Sequence, residues 1–167
     1  MQHDDAAAGG LVEWARLIEA SAAGAMMRES FWLYPVMNLT HLLGLVMLVG
    51  GIGLLDLRLL GFGRSVPAAA LSRYVTPIAV AGLVLMIGSG AMQFAADAGA
   101  LAGADVFRLK IVIVAAAIAN AVLFRLLWRR RLRNWDAAPP AFGRLQAAAS
   151  VSMWIAAGTL GRLIAYY

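Results

Sequence analysis

The chain has 167 residues, of which 62% are apolar and 14% charged, and its mean hydropathy is +0.78. Soluble domains carry about a quarter charged residues, so a water-soluble fold is excluded as the leading expectation and an integral membrane protein takes its place. With no cysteine in the chain, disulfides, zinc–thiolate sites, iron–sulfur clusters and thiol nucleophiles are excluded together.

The amino terminus, Met1-Gln2-His3-Asp4-Asp5, is acidic where a secretory signal would be basic, and no cleavable apolar segment follows. Residues Leu11 to Ala25 place apolar groups at Leu11, Trp14, Ala15, Ile18 and Ala22 and polar ones at Glu13, Arg16 and Glu19. That spacing predicts an amphipathic helix lying on the outer surface. Residues 1–29 are therefore read as a surface segment ahead of a transmembrane domain, residues 30–167.

Four spans are expected in that domain, at about 31–55, 74–96, 104–130 and 145–163. Phe31 to Leu55 gives 25 residues without a charge and Tyr74 to Ala96 gives 23, with Pro77 read as close to the second span's start, where a missing N–H costs least. Between Lys110 and Arg125 only 14 residues are uncharged, roughly 21 Å of helix against a core of about 30 Å, so the third span must include charged residues at its ends. Between Arg144 and Arg162 lie 17, enough if the Arg162 guanidinium reaches the interface. The predicted fold is an all-α, four-helix antiparallel membrane bundle preceded by an interfacial helix.

The two loops joining spans one to two and three to four carry Arg58, Arg64, Arg73, Arg125, Arg129, Arg130, Arg131, Arg133 and Arg144, nine basic residues against Asp56 and Asp136. The opposite side carries five, Arg16, Arg28, Arg108, Lys110 and Arg162, with seven acids. This asymmetry predicts cytoplasmic loops and both termini outside. Phe31, Trp32, Tyr34, Phe94, Tyr166 and Tyr167 fall near the outer boundary, and Trp128 and Trp135 near the inner one, as an aromatic belt would have them. The pI near 10.4 is explained by these loops, with no aromatic-basic interleaving, so nucleic acid is not expected as a partner.

Small residues should let the spans approach closely: Gly44, Gly50, Gly51 and Gly53 in the first, Gly82, Gly88 and Gly90 in the second, Ala117 and Ala121 in the third, Ala157 and Gly161 in the fourth. Some of these faces are available to other membrane subunits or to a second copy. Asn120 is expected to bond a neighbouring helix, and Asp56 and Arg58, two apart, to face different directions.

His41 is the outlier, an imidazole about ten residues, roughly 15 Å, inside the first span. Tyr34, Asn38 and His41 recur at spacings of four and three and share a face, read as pointing inward, with Met37. Met86 and Met153 fall at a similar depth, and Lys110 and Arg162 nearer the outer surface. Three ligands fit this set: a b-type haem on His41 with its propionates on Lys110 and Arg162, a quinone hydrogen-bonded by His41 and Asn38, or Cu(I) on Met37, His41 and Met86. The plain alternative is a packed, hydrogen-bonded histidine with methionines as filler. No catalytic residue is assigned: the chain lacks a Ser-His-Asp arrangement, HExxH, a phosphate loop and paired intramembrane carboxylates.

The strings Ser30-Phe-Trp-Leu-Tyr-Pro, His41-Leu-Leu-Gly, Leu55-Asp-Leu-Arg-Leu-Leu-Gly61, Phe107-Arg-Leu-Lys110, Asn120-Ala and Gly161-Arg-Leu-Ile-Ala-Tyr resemble an uncharacterised family of small four-span bacterial membrane proteins over about Met26 to Tyr167. The resemblance implies the four-span fold and weight on His41, Asp56, Arg58, Lys110, Asn120 and Arg162, and brings no activity. Such relatives carry a glutamate where this chain has Asn38. The expected function is a redox-associated membrane subunit holding haem or quinone at His41, with a non-catalytic accessory or assembly subunit of a larger complex as the alternative.

Overall fold

A computed structural model describes residues 2–164, with side chains described from residue 9; the aromatic positions Tyr166 and Tyr167 and the side chain of His3 lie outside the described residues. The elements are α1 (Gln2–Glu19), α2 (Ala22–Glu29), α3 (Leu33–Leu60), α4 (Ala68–Ala96), α5 (Ala98–Gly103), α6 (Asp105–Trp128), a 3₁₀ turn (Arg131–Asn134) and α7 (Ala141–Leu163). Among the described residues there is no strand. Helices α3, α4 and α6 are long and apolar enough to cross a membrane. Helix α7 has 23 residues, but Gln146, Ser150, Ser152 and Thr159 dilute its apolar composition.

Helices α3 and α4 outrun the charge-free windows because a charged side chain does not end a helix, whereas a backbone signal does. Helix α3 continues through Asp56 and Arg58 and stops at Gly61, whose φ of 113° no β-carbon favours. There the Phe62 N–H bonds the Leu57 carbonyl and the Gly61 N–H the Arg58 carbonyl, a Schellman close. Helix α4 starts after Pro67, which corrects the reading of Pro77: it is the tenth residue of its helix, not an early one, and it deprives the Arg73 carbonyl of its i+4 donor.

The single amphipathic helix expected over Leu11–Ala25 is instead two. The chain breaks at Ala20-Ser21, and the Ser21 hydroxyl accepts the Gly24 N–H at 3.4 Å to start α2. Close approach requires the glycine that follows the break: a β-carbon on Gly24 would stand 2.3 Å from the Glu19 carbonyl oxygen and 2.6 Å from that of Ala95. Glu19 accepts the Gly99 N–H at 2.8 Å, Arg28 donates to the Ala96 carbonyl at 3.2 Å, and Ala15 and Ala98 are buried. The segment is thereby fastened over the end of α4 and α5, leaving Leu11, Trp14 and Leu17 exposed.

Helix α3 packs most extensively on α4 and α7 on α6, with α3 against α7 joining the two pairs. The first seam is glycine-cut: β-carbons on Gly44 and Gly82 would meet each other's carbonyl oxygens at 2.7 and 2.6 Å, and one on Gly51 would sit 3.1 Å from Ala79. Gly50, Gly53 and Gly88 have no such neighbour. Leu48, Ala79, Ala117 and Trp154 form one buried cluster; Leu59, Ala68, Trp135 and Ala147 form a second nearer the 61–67 and 129–140 loops. Helices α4 and α6 meet where Phe94 stacks on Phe107 at 5.3 Å and otherwise make no extensive contact, which leaves a gap in the ring toward the loop end.

Candidate functional site

Two polar regions interrupt the apolar interior, one at each end of α3. At the end nearer the termini, His41 Nδ1 lies 3.0 Å from the Ser89 hydroxyl oxygen. That hydroxyl donates to the Leu85 carbonyl at 2.6 Å, so in the neutral ring Nδ1 carries the hydrogen and Nε2 the lone pair. Gly90 leaves room for the ring, since a β-carbon there would stand 3.2 Å from His41 Cε1. Gln93, one turn on, donates to the Ser89 carbonyl at 3.3 Å.

The residues read as companions of His41 divide. Met86 is half-buried beside it, over Gly44, and Met86 and Met153 both pack against the Leu48 cluster. Lys110 is half-buried with Nζ against Gly161, and its charge acts on the His41 ring. Arg162 is exposed on the other side of that glycine. Tyr34 and Asn38 do not join: both are exposed, Tyr34 by 45%, so the inward orientation expected of them is corrected. At about 100° per residue, His41 stands about 60° from the seam line through Gly44, and Asn38 about 120°, beyond the reach of α4. The described residues include no group of three His, Asp or Glu able to hold a metal ion.

The second region is a cavity of about 960 Å³, floored by α3 and α7, walled by α4 and α6, and closed at one end by the 3₁₀ turn. Its apolar lining includes Leu48, Ile52, Leu83, Ile118, Ala121 and Phe124. Asp56 and Gln146, only 6% and 4% exposed, line it with Ser150 and Trp154. Asn120 donates to the Gln146 main-chain carbonyl at 3.0 Å, the interhelical bond expected of it. The Trp128 indole N–H donates to Gln146 Oε1 at 2.6 Å. An indole N–H only donates, so the amide orientation is settled and Nε2 is the end left over. Gln146 Nε2, Trp154 Nε1 and Asp56 Oδ2 are buried without a hydrogen-bond partner; Ser150 lies beside the same carboxyl.

The loop end of the cavity is built firmly. Arg58 is buried, pairs with Asp136 and donates to the Val66 carbonyl, so it joins both loops rather than pairing with Asp56, in keeping with its two-residue offset. Trp135 donates to the Leu59 carbonyl at 3.2 Å and Arg144 to that of Leu60 at 3.1 Å. Arg73, Arg125, Arg129 and Arg133 line the cavity here, and all four are exposed.

Of this region, sequence reasoning singled out Asp56 and Asn120; it passed over Gln146, Ser150 and Trp154. The signal was present, because Gln146, Ser150 and Trp154 recur every four residues and so stripe one face of α7. Ser89 was missed for lack of any distinguishing spacing. No family model, no curated protein and no solved structure matches the chain.

Proposed function

We propose that this chain is a four-span integral membrane protein that takes an amphiphilic molecule from the bilayer into the cavity between α4 and α6. Three helices of sufficient length and apolarity support the membrane setting. The antiparallel pairing of α7 with α6, and its inward polar stripe, support a fourth span whose composition is set by what it faces. The excess of arginine in the two connecting loops supports a cytoplasmic position for them and an outer position for both termini. Exposed Leu11, Trp14 and Leu17 on α1 support contact with the outer leaflet.

The observation that carries the reading is that three side chains lining one large, mostly apolar cavity, Asp56, Gln146 and Trp154, each carry a buried polar atom without a hydrogen-bond partner. Each such atom costs about 1–3 kcal/mol when left unpaired. A ligand with two acceptors, for Gln146 Nε2 and Trp154 Nε1, and one donor, for Asp56, removes these penalties once the three side chains turn toward it. The volume falls at the upper end of ligand pockets, about 300–1,000 Å³, and the gap between α4 and α6 offers entry from the side.

Purification in a mild non-ionic detergent followed by solvent extraction and mass spectrometry tests this. A stoichiometric amphiphile is expected in the native chain and a severalfold reduction in Ala121→Trp, which narrows the cavity. Equal content in both overturns the reading, and a chain without amphiphile that co-purifies with a stoichiometric membrane partner favours an accessory subunit instead.

A second reading, a redox group on His41, is favoured by the Ser89 contact. Ligating histidines commonly donate their other N–H to a fixed acceptor, and the serine fixes Nδ1 as that donor, presenting Nε2 to a haem iron or Cu(I). A Soret band lost in His41→Ala, or copper by elemental analysis, supports it; a colourless, copper-free native membrane fraction overturns it.

A further inference from the structure

Resting on the lateral-cavity reading, we propose that the amphiphile is anionic, a phosphate-bearing lipid whose head is held by Arg73, Arg125, Arg129 and Arg133 while its hydroxyl and carbonyl groups meet Asp56, Gln146 and Trp154. Four guanidiniums line the loop end of this cavity, Arg73 from α4, Arg125 from α6, Arg129 from just past its end and Arg133 from the 3₁₀ turn. None has a carboxylate partner: the ion pairs among the described residues are Arg58–Asp136 and Arg108–Asp105. Asp136, the acid of this loop end, is committed to Arg58. Guanidinium forks match phosphate oxygens in charge and geometry, and charge-assisted bonds of this kind are the strong ones. An uncharged head would leave this end of the cavity without a counter-charge.

The order of groups along the cavity matches such a lipid. Arginines stand at the loop end, the polar trio of Asp56, Ser150 and Gln146 comes next, and Trp154 marks the deep end beside Leu48 and Ala79. A phosphate, then a hydroxyl or ester carbonyls, then an acyl chain running out between α4 and α6 follows the same sequence. Pro77 lies in this wall, with the Arg73 carbonyl as a further acceptor for a head-group hydroxyl.

The test is native mass spectrometry of the full chain in non-ionic detergent, titrated with phosphatidylglycerol or with phosphatidylcholine of the same acyl chains. One saturable phosphatidylglycerol per chain is expected, bound at least about tenfold more tightly than phosphatidylcholine. Arg129→Gln with Arg133→Gln should remove that preference, whereas Arg64→Gln with Arg130→Gln, basic positions outside the cavity lining, should leave it intact. If both pairs reduce binding alike, the attraction is that of any basic membrane face for acidic lipid, and the proposal is overturned. Inorganic phosphate that displaces the lipid would also overturn it, by making the acyl chain dispensable. Ala121→Trp separates the two levels: a wild-type chain binding both lipids equally but losing both in Ala121→Trp keeps the cavity and discards the anionic head. Indifference of both lipids to Ala121→Trp removes the cavity reading itself.

Discussion

His41 and Asp56 stand on the same helix, fifteen residues and about 22 Å apart, and they have met the same problem in opposite ways. The histidine faces α4 across the glycine-cut seam and is given a partner there, Ser89, whose own proton is committed to Leu85. The aspartate faces the gap between α4 and α6, with one oxygen unpartnered among two other unpartnered buried groups. A satisfied polar group inside an apolar bundle fixes how helices register, because any slip would strand it. An unsatisfied one on a cavity wall is a standing cost that a guest can remove. The two regions therefore ask for different experiments: at His41 the native partner is removed, at Asp56 the unmet demand is.

The largest effect should come from the seam that both depend on. In Gly82→Leu the added side chain starts 2.6 Å from the Gly44 carbonyl oxygen and 2.7 Å from the Leu48 amide nitrogen, backbone that cannot swing aside. Overpacking of this kind costs about 3 kcal/mol, and it should separate α3 from α4, abolishing a monodisperse peak in size-exclusion chromatography. Gly88→Leu, on the same helix with nothing within 4 Å of its β-carbon, should leave the elution profile unchanged. Equal behaviour of the two variants would mean that the seam is not where the bundle is held.

A smaller effect, of opposite sign, distinguishes the two ends of α3. Asp56→Leu replaces a buried carboxyl carrying an unpartnered oxygen with an apolar group, and thermal unfolding in detergent should show a gain of about 2 kcal/mol. The same variant should retain severalfold less co-purified amphiphile, so stability and loading move apart. A loss of stability would mean that the bond with Ser150 outweighs the unpaired oxygen, and that Asp56 belongs with His41 among the structural groups.

What was legible in the sequence follows the range of the interaction that sets each feature. Helices α3 and α4 follow from charge-free windows, because exclusion from water acts residue by residue, and α6 follows once charged residues are admitted at its ends. Asn120 and the separation of Asp56 from Arg58 were legible for the same local reason. The break at Ser21 was not, since the segment after it is seated against the Ala95 carbonyl of another helix, a contact that only a glycine at position 24 allows. Tyr34 and Asn38 were placed on the correct common face, but which face turns inward was fixed by the seam through Gly44, Leu48 and Gly51, and that rotation is a tertiary fact. The cavity was least legible of all. It is an opening between α4 and α6, which meet at Phe94 and Phe107 and pack little elsewhere, and packing that two helices do not make has no local signature. The stripe of Gln146, Ser150 and Trp154 was its one sequence trace, readable as an inward face only once α7 is known to pack against α3 and α6.

The smallest expected effect sharpens the His41 side. Ser89→Ala removes the acceptor that holds Nδ1 as the protonated nitrogen, at a cost of about 1 kcal/mol. Nitrogen-15 spectra of the histidine-labelled chain in micelles should show a single neutral tautomer, hydrogen on Nδ1, in the native protein and a mixture in Ser89→Ala. Thermal unfolding should fall slightly while amphiphile retention stays unchanged, because the cavity lining does not include Ser89. A native spectrum already mixed would show that the serine does not set the ring. It would remove the one argument that Nε2 is offered to a metal, leaving His41 as a packed side chain. A single tautomer that survives Ser89→Ala would point to another acceptor as the determinant.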